Sequence, residues 1–258
     1  MDYKIYIKKP IEYYDENNGY YTIKSDFGDQ IINNSGKQIV DSLYDGVFIQ
    51  NIINYFMQIT NVDFKTALLD VFDFLSSLKI IGLLEFDAAY FESYLLKEAY
   101  NIAGEKDYVL ISEKIIENFT ISQNTWYNFA KNINQYNAYV LRAKCFAHQE
   151  SYFYSCDNDE ISSIIGLTNM SETDSPVCIN LIQTKGTKDD IIKLYNYIEE
   201  ELIRLNKYKI RIIISSKDSD RVEHLVKEIG FFKEGVLEKE DRINDYFIFS
   251  KLLNKHEC

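Results

Sequence analysis

The chain has 258 residues and carries 28 basic against 40 acidic side chains, which gives a formal net charge of −12. This length suits one large or two modest domains, and a hydrophobic fraction of 46% is sufficient for a real core. The acidic balance disfavours nucleic acid and favours cationic partners such as lysine-rich peptides, and no apolar run is long enough to cross a membrane.

None of the four cysteines belongs to a C-x-x-C pair, so we expect no metal site. Cys145 and Cys156 would face each other across a hairpin, but free thiols fit a reducing compartment better. The first residues, MDYKIYIKKPIEYY, lack the apolar segment of a secretory signal. Together these features predict a cytoplasmic protein.

Three short strands open the chain and three helices follow them. YKIYIKK and GYYTIKS alternate apolar and polar residues, and DQIINN follows the turn DFGD. The helices are predicted over SGKQIVDSLYDG, VFIQNIINYFMQIT and DFKTALLDVFDFLSSLKIIGLLEF, the last with Asp63 as N-cap and Gly82 as stop. This order predicts a winged helix-turn-helix domain over residues 1–86.

DNA binding is the first hypothesis for such a domain, but its charge argues against it. The segment 1–86 contains seven lysines, no arginine and twelve acidic residues. The third helix, which would enter a major groove, carries Lys65 and Lys79 but also Asp70 and Asp73. This charge therefore disfavours DNA as the ligand of the domain.

The pattern n-x-x-G-x-x-I-x-x-x-L-x-D-G, followed by a helix that ends FL-x-x-L-x-x-x-G-L-L, resembles the PqqD-like family of RiPP recognition elements. The matching positions are Gly36, Ile39, Leu43, Asp45, Gly46, Ile52, Phe74, Leu75, Leu78, Gly82, Leu83 and Leu84. The resemblance implies that this domain binds the leader segment of a ribosomally made precursor peptide as an added strand.

That resemblance also implies where the peptide lies. The peptide-binding residues are Gln30, Ile31, Ile32 and Asn33 on the third strand, and Lys65, Leu69, Phe72 and Ser76 on the third helix. For Ile31, Leu69 and Phe72 the alternative is an ordinary core position.

The middle of the chain carries weaker signals. Residues 87–107 are helical by pattern and end at AGEKD, so we assign them to a linker. YVLIS, 108–112, is a candidate strand. The segment 113–137 reads as one or two amphipathic helices around the only tryptophan, Trp126, for which a core position is the usual explanation.

From Ala138 the pattern is that of strands again. AYVLRAKCF, ESYFYSC, ISSIIGLTNM and PVCINLIQ read as an antiparallel meander. The helix TKGTKDDIIKLYNYIEEELIRLNKY, the strand KIRIIISS and the helix DSDRVEHLVKEIG follow, the last capped by Asp218 or Ser219 and stopped by Gly230. This order predicts a mixed α+β or α/β domain over 108–258, with a sheet flanked by helices.

The final stretch, GFFKEGVLEKEDRINDYFIFSKLL, resembles the C-terminal signature of the GNAT superfamily of acyl-CoA-dependent N-acyltransferases. The signature positions are Gly230, Phe231, Glu234, Gly235, Asp245 and Ser250, and SIIGLTNM resembles the third strand of that family with Gly166. The resemblance implies transfer of an acyl group from acetyl-CoA, or a longer acyl-CoA, to a protein or peptide amine. The first strand of the family falls at 108–112 or at 138–146.

Members of this family hold the CoA pyrophosphate on backbone amides at Q/R-x-x-G-x-G/A, where a helix begins. The matching text here is QTKGTK. The resemblance therefore implies cofactor-binding residues at Ile182, Gln183, Thr184, Lys185, Gly186, Thr187 and Lys188. Lys188 replaces the second glycine of the motif, and the acidic residues Asp189 and Asp190 follow it.

The attacking amine must lose its proton, because lysine has a pKa of about 10.4 in water. His148, Glu150 and His224 are candidate bases. Val226 stands at the position of the tyrosine general acid of the family, and Ser219 at that of its asparagine. The tyrosines that are candidates to replace the acid are Tyr154, Tyr195 and Tyr246.

We select His148, Glu150, Ser219 and Tyr246 as the catalytic residues. The sequence then predicts an N-acyltransferase that acts on a lysine, ornithine or terminal amine of a precursor peptide, which the first domain captures. The changes at Lys188 and Val226 leave open a non-catalytic adaptor that binds a leader peptide and recruits another maturation enzyme.

Overall fold

The computed structural model describes residues 4–7, 11–26, 28–88, 91–92, 98–119, 125–127, 133–172, 175–240 and 243–253. The chain divides into two compact units, Met1–Leu95 and Leu96–Cys258. This division falls inside the segment 87–107 that the sequence assigns to a linker. Within the described ranges, no helix combines the length and the apolar character that a membrane crossing requires.

In its described residues the first unit contains small antiparallel sheets and three helices of nine or more residues. Its elements are β1 Lys4–Ile7, β2 Tyr13–Asp15, β3 Tyr20–Ile23, β4 Gln30–Asn33, α1 Asn34–Ser42, β5 Val47–Phe48, α2 Ile49–Thr60, α3 Phe64–Ile80 and β6 Leu84–Glu85. Strands β2, β3 and β4 form one sheet in that order, and β1 pairs with β5 and β6 in another. The three predicted helices are confirmed, while the winged helix-turn-helix arrangement stays a prediction.

Local signals set the ends of α3 where the sequence places them. Asp63 caps the helix, because its Oδ1 accepts a hydrogen bond from the amide of Thr66 at 3.0 Å. This bond is the main reason why the pKa of Asp63 is lowered. Gly82 ends the helix with a φ of 76°, a left-handed conformation that glycine adopts without strain.

The second unit is a mixed sheet flanked by helices. Its elements are β7 Tyr100–Ile102, α4 Tyr108–Phe119, β8 Thr125–Tyr127, α5 Ala138–Phe146, β9 Glu150–Asp157, β10 Glu160–Thr168, β11 Val177–Thr184, α6 Lys188–Arg204, β12 Lys209–Ser215, α7 Ser219–Glu228, β13 Phe232–Leu237 and β14 Tyr246–Leu252. The strand order is β13-β14-β12-β11-β10-β9-β7, in which only β11 and β12 are parallel neighbours. The predicted order of elements from β9 to β14 is confirmed.

Three predictions ahead of β9 are wrong. The segments 108–112 and 138–146, both expected as strands, belong to α4 and α5. Asn137 decides the second case, because its Oδ1 accepts a hydrogen bond from the amide of Val140 at 2.9 Å and so caps a helix. The outer strand is instead β7, which lies in the segment expected to be helical and pairs with β9.

The C-terminal signature folds as the hairpin β13–β14, and its polar residues bind one another. Glu234 forms an ion pair with Lys209, and it accepts hydrogen bonds from Ser250 Oγ at 2.7 Å and Arg211 Nη2 at 3.1 Å. The bond from Lys209, followed by the bond from Ser250, lowers the pKa of Glu234 to about 2. Because Lys209 and Arg211 lie on β12, this cluster fastens the hairpin to the centre of the sheet.

Candidate active site

The parallel strands β11 and β12 pair only near their amino ends. The pairing covers Val177, Cys178 and Ile179, although β11 continues to Thr184 and β12 to Ser215. The gap between 180–184 and 213–215 is called the strand crevice below. It opens at the carboxyl ends of parallel strands, which is where sheets of this kind bind ligands.

A β-bulge lies where the two strands part. In the pairing of β10 with β11, Gly166 faces Leu181 and Leu167 faces Ile179, so Asn180 is an extra residue. Its Oδ1 is buried and has no hydrogen-bond partner in the described part of the chain. A Cβ on Gly166 would lie 2.4 Å from this oxygen. A glycine is therefore needed opposite the bulge.

The predicted cofactor residues lie together where β11 turns into α6: Ile182, Gln183, Thr184, Lys185, Gly186, Thr187 and Lys188. The amides of Lys185, Gly186 and Thr187 already donate hydrogen bonds inside the protein. Their acceptors are a carbonyl of β10, a hydroxyl of β11 and a carboxylate of α6, at 2.9, 3.0 and 2.7 Å. Three successive donors that would hold an anion are thus satisfied by the chain itself.

The carboxylate among these acceptors belongs to Asp190. Its Oδ2 accepts hydrogen bonds from the amide and the hydroxyl of Thr187, at 2.7 and 2.9 Å, which forms a capping box. The amide bond, ahead of the hydroxyl bond, lowers the pKa of Asp190, so this group is ionised at neutral pH. A Cβ on Gly186 would lie 2.3 Å from the same oxygen. A phosphate at this turn would meet a negative charge.

The charged side chains of the turn are engaged with neighbouring helices. Lys188, which replaces the second glycine of the motif, forms an ion pair with Glu228 on α7. Lys185 Nζ lies 3.5 Å from Glu117 on α4. The side chain of Gln183 is buried and donates to a carbonyl of α4 at 3.3 Å. Both lysines are therefore paired with carboxylates of neighbouring helices.

A second obstruction lies along the edge of β11. Strand β10 pairs with one edge of β11 as far as Thr184, so the edge that loses β12 is the opposite one. Strand β8 pairs antiparallel with that edge and places Trp126 opposite Ile182. Trp126 is 3% exposed and belongs to the hydrophobic core of the unit. Its predicted core position is confirmed, but residues 125–127 form a strand, where the sequence indicated a helix.

The strand crevice as described does not fit an acyl-CoA. An extended, amide-bearing pantetheine arm would need the strand edge that β8 already pairs with. A pyrophosphate at the turn would meet the ionised Asp190 beside three amides, those of Lys185, Gly186 and Thr187, which the protein already satisfies. Asp190 stands in the sequence directly after the motif. The only sequence signal for β8 is the lone tryptophan.

The structure separates the predicted catalytic residues into two groups. His148 and Glu150 line a cleft of about 500 Å³ at the amino end of β11. Ser219 begins α7, and Tyr246 pairs with Ser215 at the carboxyl end of β12. In the register of the sheet Glu150 aligns with Arg211, four residues before Ser215, and β10, β11 and β12 lie between the strands of Glu150 and Tyr246, so the groups are roughly 20 Å apart. A single reaction centre cannot use all four side chains at once.

The two residues of the cleft have different surroundings. His148 is exposed and ends α5 with a left-handed φ of 56°, and its amide donates to the carbonyl of Cys145 at 3.0 Å. Glu150 is 12% exposed, lies 2.9 Å from Lys144 Nζ and accepts a hydrogen bond from Tyr152.

No tyrosine takes the position of the general acid of the family. Val226 is fully buried in the core. Tyr195 is also fully buried, and among the described residues its hydroxyl has no hydrogen-bond partner. Burial raises the pKa of Tyr195 and, together with the nearby Asp107, that of Tyr154. His224 lies on the surface of α7, with Nδ1 3.6 Å from Glu228.

In the first unit, β4 is the outer strand of its sheet. Among the described strands it pairs only with β3, so its other edge offers unpaired backbone groups. Ile31 on this strand is 64% exposed, while Ile32 is buried. Asn33 is the N-cap of α1, because its Oδ1 accepts a hydrogen bond from the amide of Gly36 at 2.9 Å. Gln30 donates to the carbonyl of Ile31 at 3.5 Å.

The α3 residues selected for peptide binding differ in their exposure. Lys65 is exposed and Leu69 is half-buried. Phe72 is fully buried and packs against Phe86, with ring centroids 6.3 Å apart. The prediction that Phe72 binds the peptide is therefore wrong, because its side chain belongs to the core. Ser76 is buried, and its Oγ has no hydrogen-bond partner in the described ranges.

No family model matches the sequence, and a comparison with curated proteins finds no significant match. Several solved acetyltransferase structures are similar to part of the chain. A ribosomal-protein-S5-alanine acetyltransferase from Vibrio fischeri is 14% identical, with 64% of this chain and 98% of that chain covered and a TM-score of 0.49. An aminoglycoside 6'-N-acetyltransferase from Enterococcus faecium is 11% identical, with 61% of this chain and 98% of that chain covered and a TM-score of 0.46. A mutant spermidine/spermine N-acetyltransferase from Vibrio cholerae is 19% identical, with 61% of this chain and 95% of that chain covered and a TM-score of 0.46.

Proposed function

We propose that this chain is a GNAT-type N-acyltransferase that takes its acyl group from acetyl-CoA or a longer acyl-CoA. The observation that carries the proposal is the strand crevice, which opens beside a glycine turn and the start of the 17-residue helix α6. The order of elements from β9 to β14 and the signature residues of the final hairpin support the same assignment. In the described form the crevice is closed, so binding of the donor requires β8 and Asp190 to move.

The proposed acceptor is an amine of a peptide. The net charge of −12 favours cationic partners. The cleft at the amino end of β11 contains the carboxylates Glu150 and Glu172 and the imidazole of His148. Carboxylates attract an ammonium group, and an imidazole is a suitable side chain to accept its proton. We therefore assign this cleft to binding of the cationic peptide, whose lysine, ornithine or terminal amine must reach the acyl group in the strand crevice.

The first unit is proposed to capture the peptide by its leader segment. The unpaired edge of β4 offers backbone donors and acceptors to an added strand, and the exposed Ile31 offers an apolar contact beside it. Among the selected residues of α3, Lys65 and Leu69 remain accessible. Tethering the leader raises the local concentration of the amine near the second unit. This arrangement is that of a PqqD-like recognition element in a cytoplasmic peptide-maturation system.

The experiment combines the full chain, acetyl-CoA and the short peptides encoded beside its gene. Mass spectrometry should find a peptide that gains one acetyl group on an amine. Ile31→Ser should weaken binding of this peptide at least tenfold, a loss of about 1.4 kcal/mol. Ile59→Ser is the matched control, because Ile59 is also exposed, at 43%, but lies on α2. If no peptide is acylated and acetyl-CoA does not bind, the enzymatic proposal fails.

The closed crevice favours a second candidate, a non-catalytic adaptor that binds a leader peptide and recruits another maturation enzyme. If β8 and Asp190 keep CoA out permanently, only the peptide-binding half of the proposal remains. The adaptor would bind the peptide with the same dependence on Ile31 and would show no thermal stabilisation by a large excess of CoA. Clear stabilisation by CoA contradicts the adaptor.

A further inference from the structure

Strand β8 occupies a place that the rest of the sheet leaves open. It has three residues, and its register pairs Thr125, Trp126 and Tyr127 with Gln183, Ile182 and Leu181. These are the residues of β11 beyond the point where β12 departs. The backbone groups on this edge would otherwise lack partners, and buried unpaired groups are costly. A segment of the chain itself therefore forms the hydrogen bonds that this edge of β11 would otherwise lack.

The packing of β8 depends on one large side chain. Trp126 is 3% exposed and belongs to the same core cluster as Ile182 on β11 and Ile214 on β12. An indole in this cluster anchors the short strand, since three residues of pairing alone are a weak attachment. Truncation of Trp126 should therefore release β8 more readily than it unfolds the sheet.

We infer that β8 is an intramolecular competitor of the acyl donor, which enters the strand crevice only when β8 leaves it. The inference rests on the proposed function, because it concerns the regulation of the same site. An extended amide chain and a peptide strand need the same backbone groups of β11, so they cannot bind together. The apparent affinity for CoA is then the affinity of the open form multiplied by the fraction of molecules in which β8 is displaced.

The single tryptophan makes this competition directly observable. The chain contains one tryptophan, Trp126, so its fluorescence reports on β8 without any label. We expect titration of the unmodified chain with CoA to shift the emission of Trp126 to longer wavelength and to increase its quenching by acrylamide. Calorimetry on the same samples measures CoA binding independently.

Variants test the same point without the reporter. Trp126→Ala should bind CoA about tenfold or more tightly than the unmodified chain, because a larger fraction has an open crevice. Trp126→Phe retains an aromatic anchor and should resemble the unmodified chain. Leu202→Ala truncates a fully buried side chain of α6 in the same core cluster and controls for general loosening, so it should not tighten binding.

The outcomes separate this inference from the proposed function. If CoA binds the unmodified chain while the emission of Trp126 is unchanged, or if Trp126→Ala binds no more tightly, β8 is not a competitor and the donor assignment survives. If neither the unmodified chain nor any variant binds CoA, both the inference and the assignment of an acyl-CoA donor are refuted. Should Trp126→Ala fail to fold, the fluorescence titration of the unmodified chain still decides.

Discussion

Replacement of Glu234 by glutamine should destabilise the second unit in a pH-dependent way. The carboxylate binds Lys209, Ser250 and Arg211, and these bonds lower its pKa from 4.5 to about 2. A difference of this size is worth at most about 3 kcal/mol. Because the side chain is 34% exposed, solvent screens part of it, and we expect about 1–2 kcal/mol at neutral pH.

The sign of the pH dependence follows from the lowered pKa. The stabilisation is complete above the ordinary pKa of 4.5 and disappears as pH falls towards about 2. Denaturant titration, followed by the fluorescence of Trp126, reports on the second unit alone, since the chain has no other tryptophan. Glu234→Gln should lose stability at about pH 7 and approach the unmodified chain at about pH 3. Glu238→Gln, an exposed change beyond β13, is the control. A deficit of Glu234→Gln that is equal at both pH values would refute the reasoning.

Two further substitutions test the assignments of buried side chains. Tyr195→Phe removes a buried hydroxyl without a described partner and should raise the free energy of unfolding by about 1 kcal/mol. Denaturant titration measures this change. A decrease in the free energy of unfolding of similar size would show that the hydroxyl is hydrogen-bonded. Phe72→Ala should lower the free energy of unfolding of the first unit by about 3–5 kcal/mol, whereas Ile31→Ser should change it by less than about 0.5 kcal/mol. Hydrogen exchange of the amides in residues 30–80 measures both changes. Equal effects of the two substitutions would contradict the core position of Phe72.

The elements that the sequence predicted correctly are those with strong local signals. Asp63 and Gly82 mark the ends of α3, and both act as the sequence indicated. The strands β9 to β11 follow one another in a meander, so each finds its partner close by in the chain. The residues of the final hairpin could be identified because Glu234 and Ser250 stand at fixed spacing and bind each other.

The elements that the sequence did not predict depend on distant partners. Strand β7 forms because β9 offers an edge about fifty residues later, and nothing within 100–102 indicates this. Strand β8 requires the divergence of β11 from β12, which is a property of the assembled sheet. The sequence predicted a turn between β11 and α6, but the closure of that turn by Asp190 depends on the geometry of the cap.

The two obstructions of the strand crevice should contribute independently to CoA affinity, and a double-mutant cycle can test this. Asp190→Asn removes the negative charge over the turn but retains an oxygen that accepts the amide of Thr187. Because CoA binds only the molecules in which β8 is displaced, Asp190→Asn should tighten CoA binding about tenfold whatever the size of that fraction. In the Trp126→Ala background the same change should tighten binding by a similar factor, because Trp126→Ala changes only the fraction of molecules with an open crevice. Asp189→Asn changes the charge equally and serves as the control. If Asp190→Asn tightens CoA binding in neither background, the pyrophosphate does not lie at this turn, and the assignment of the acyl donor to the strand crevice is refuted.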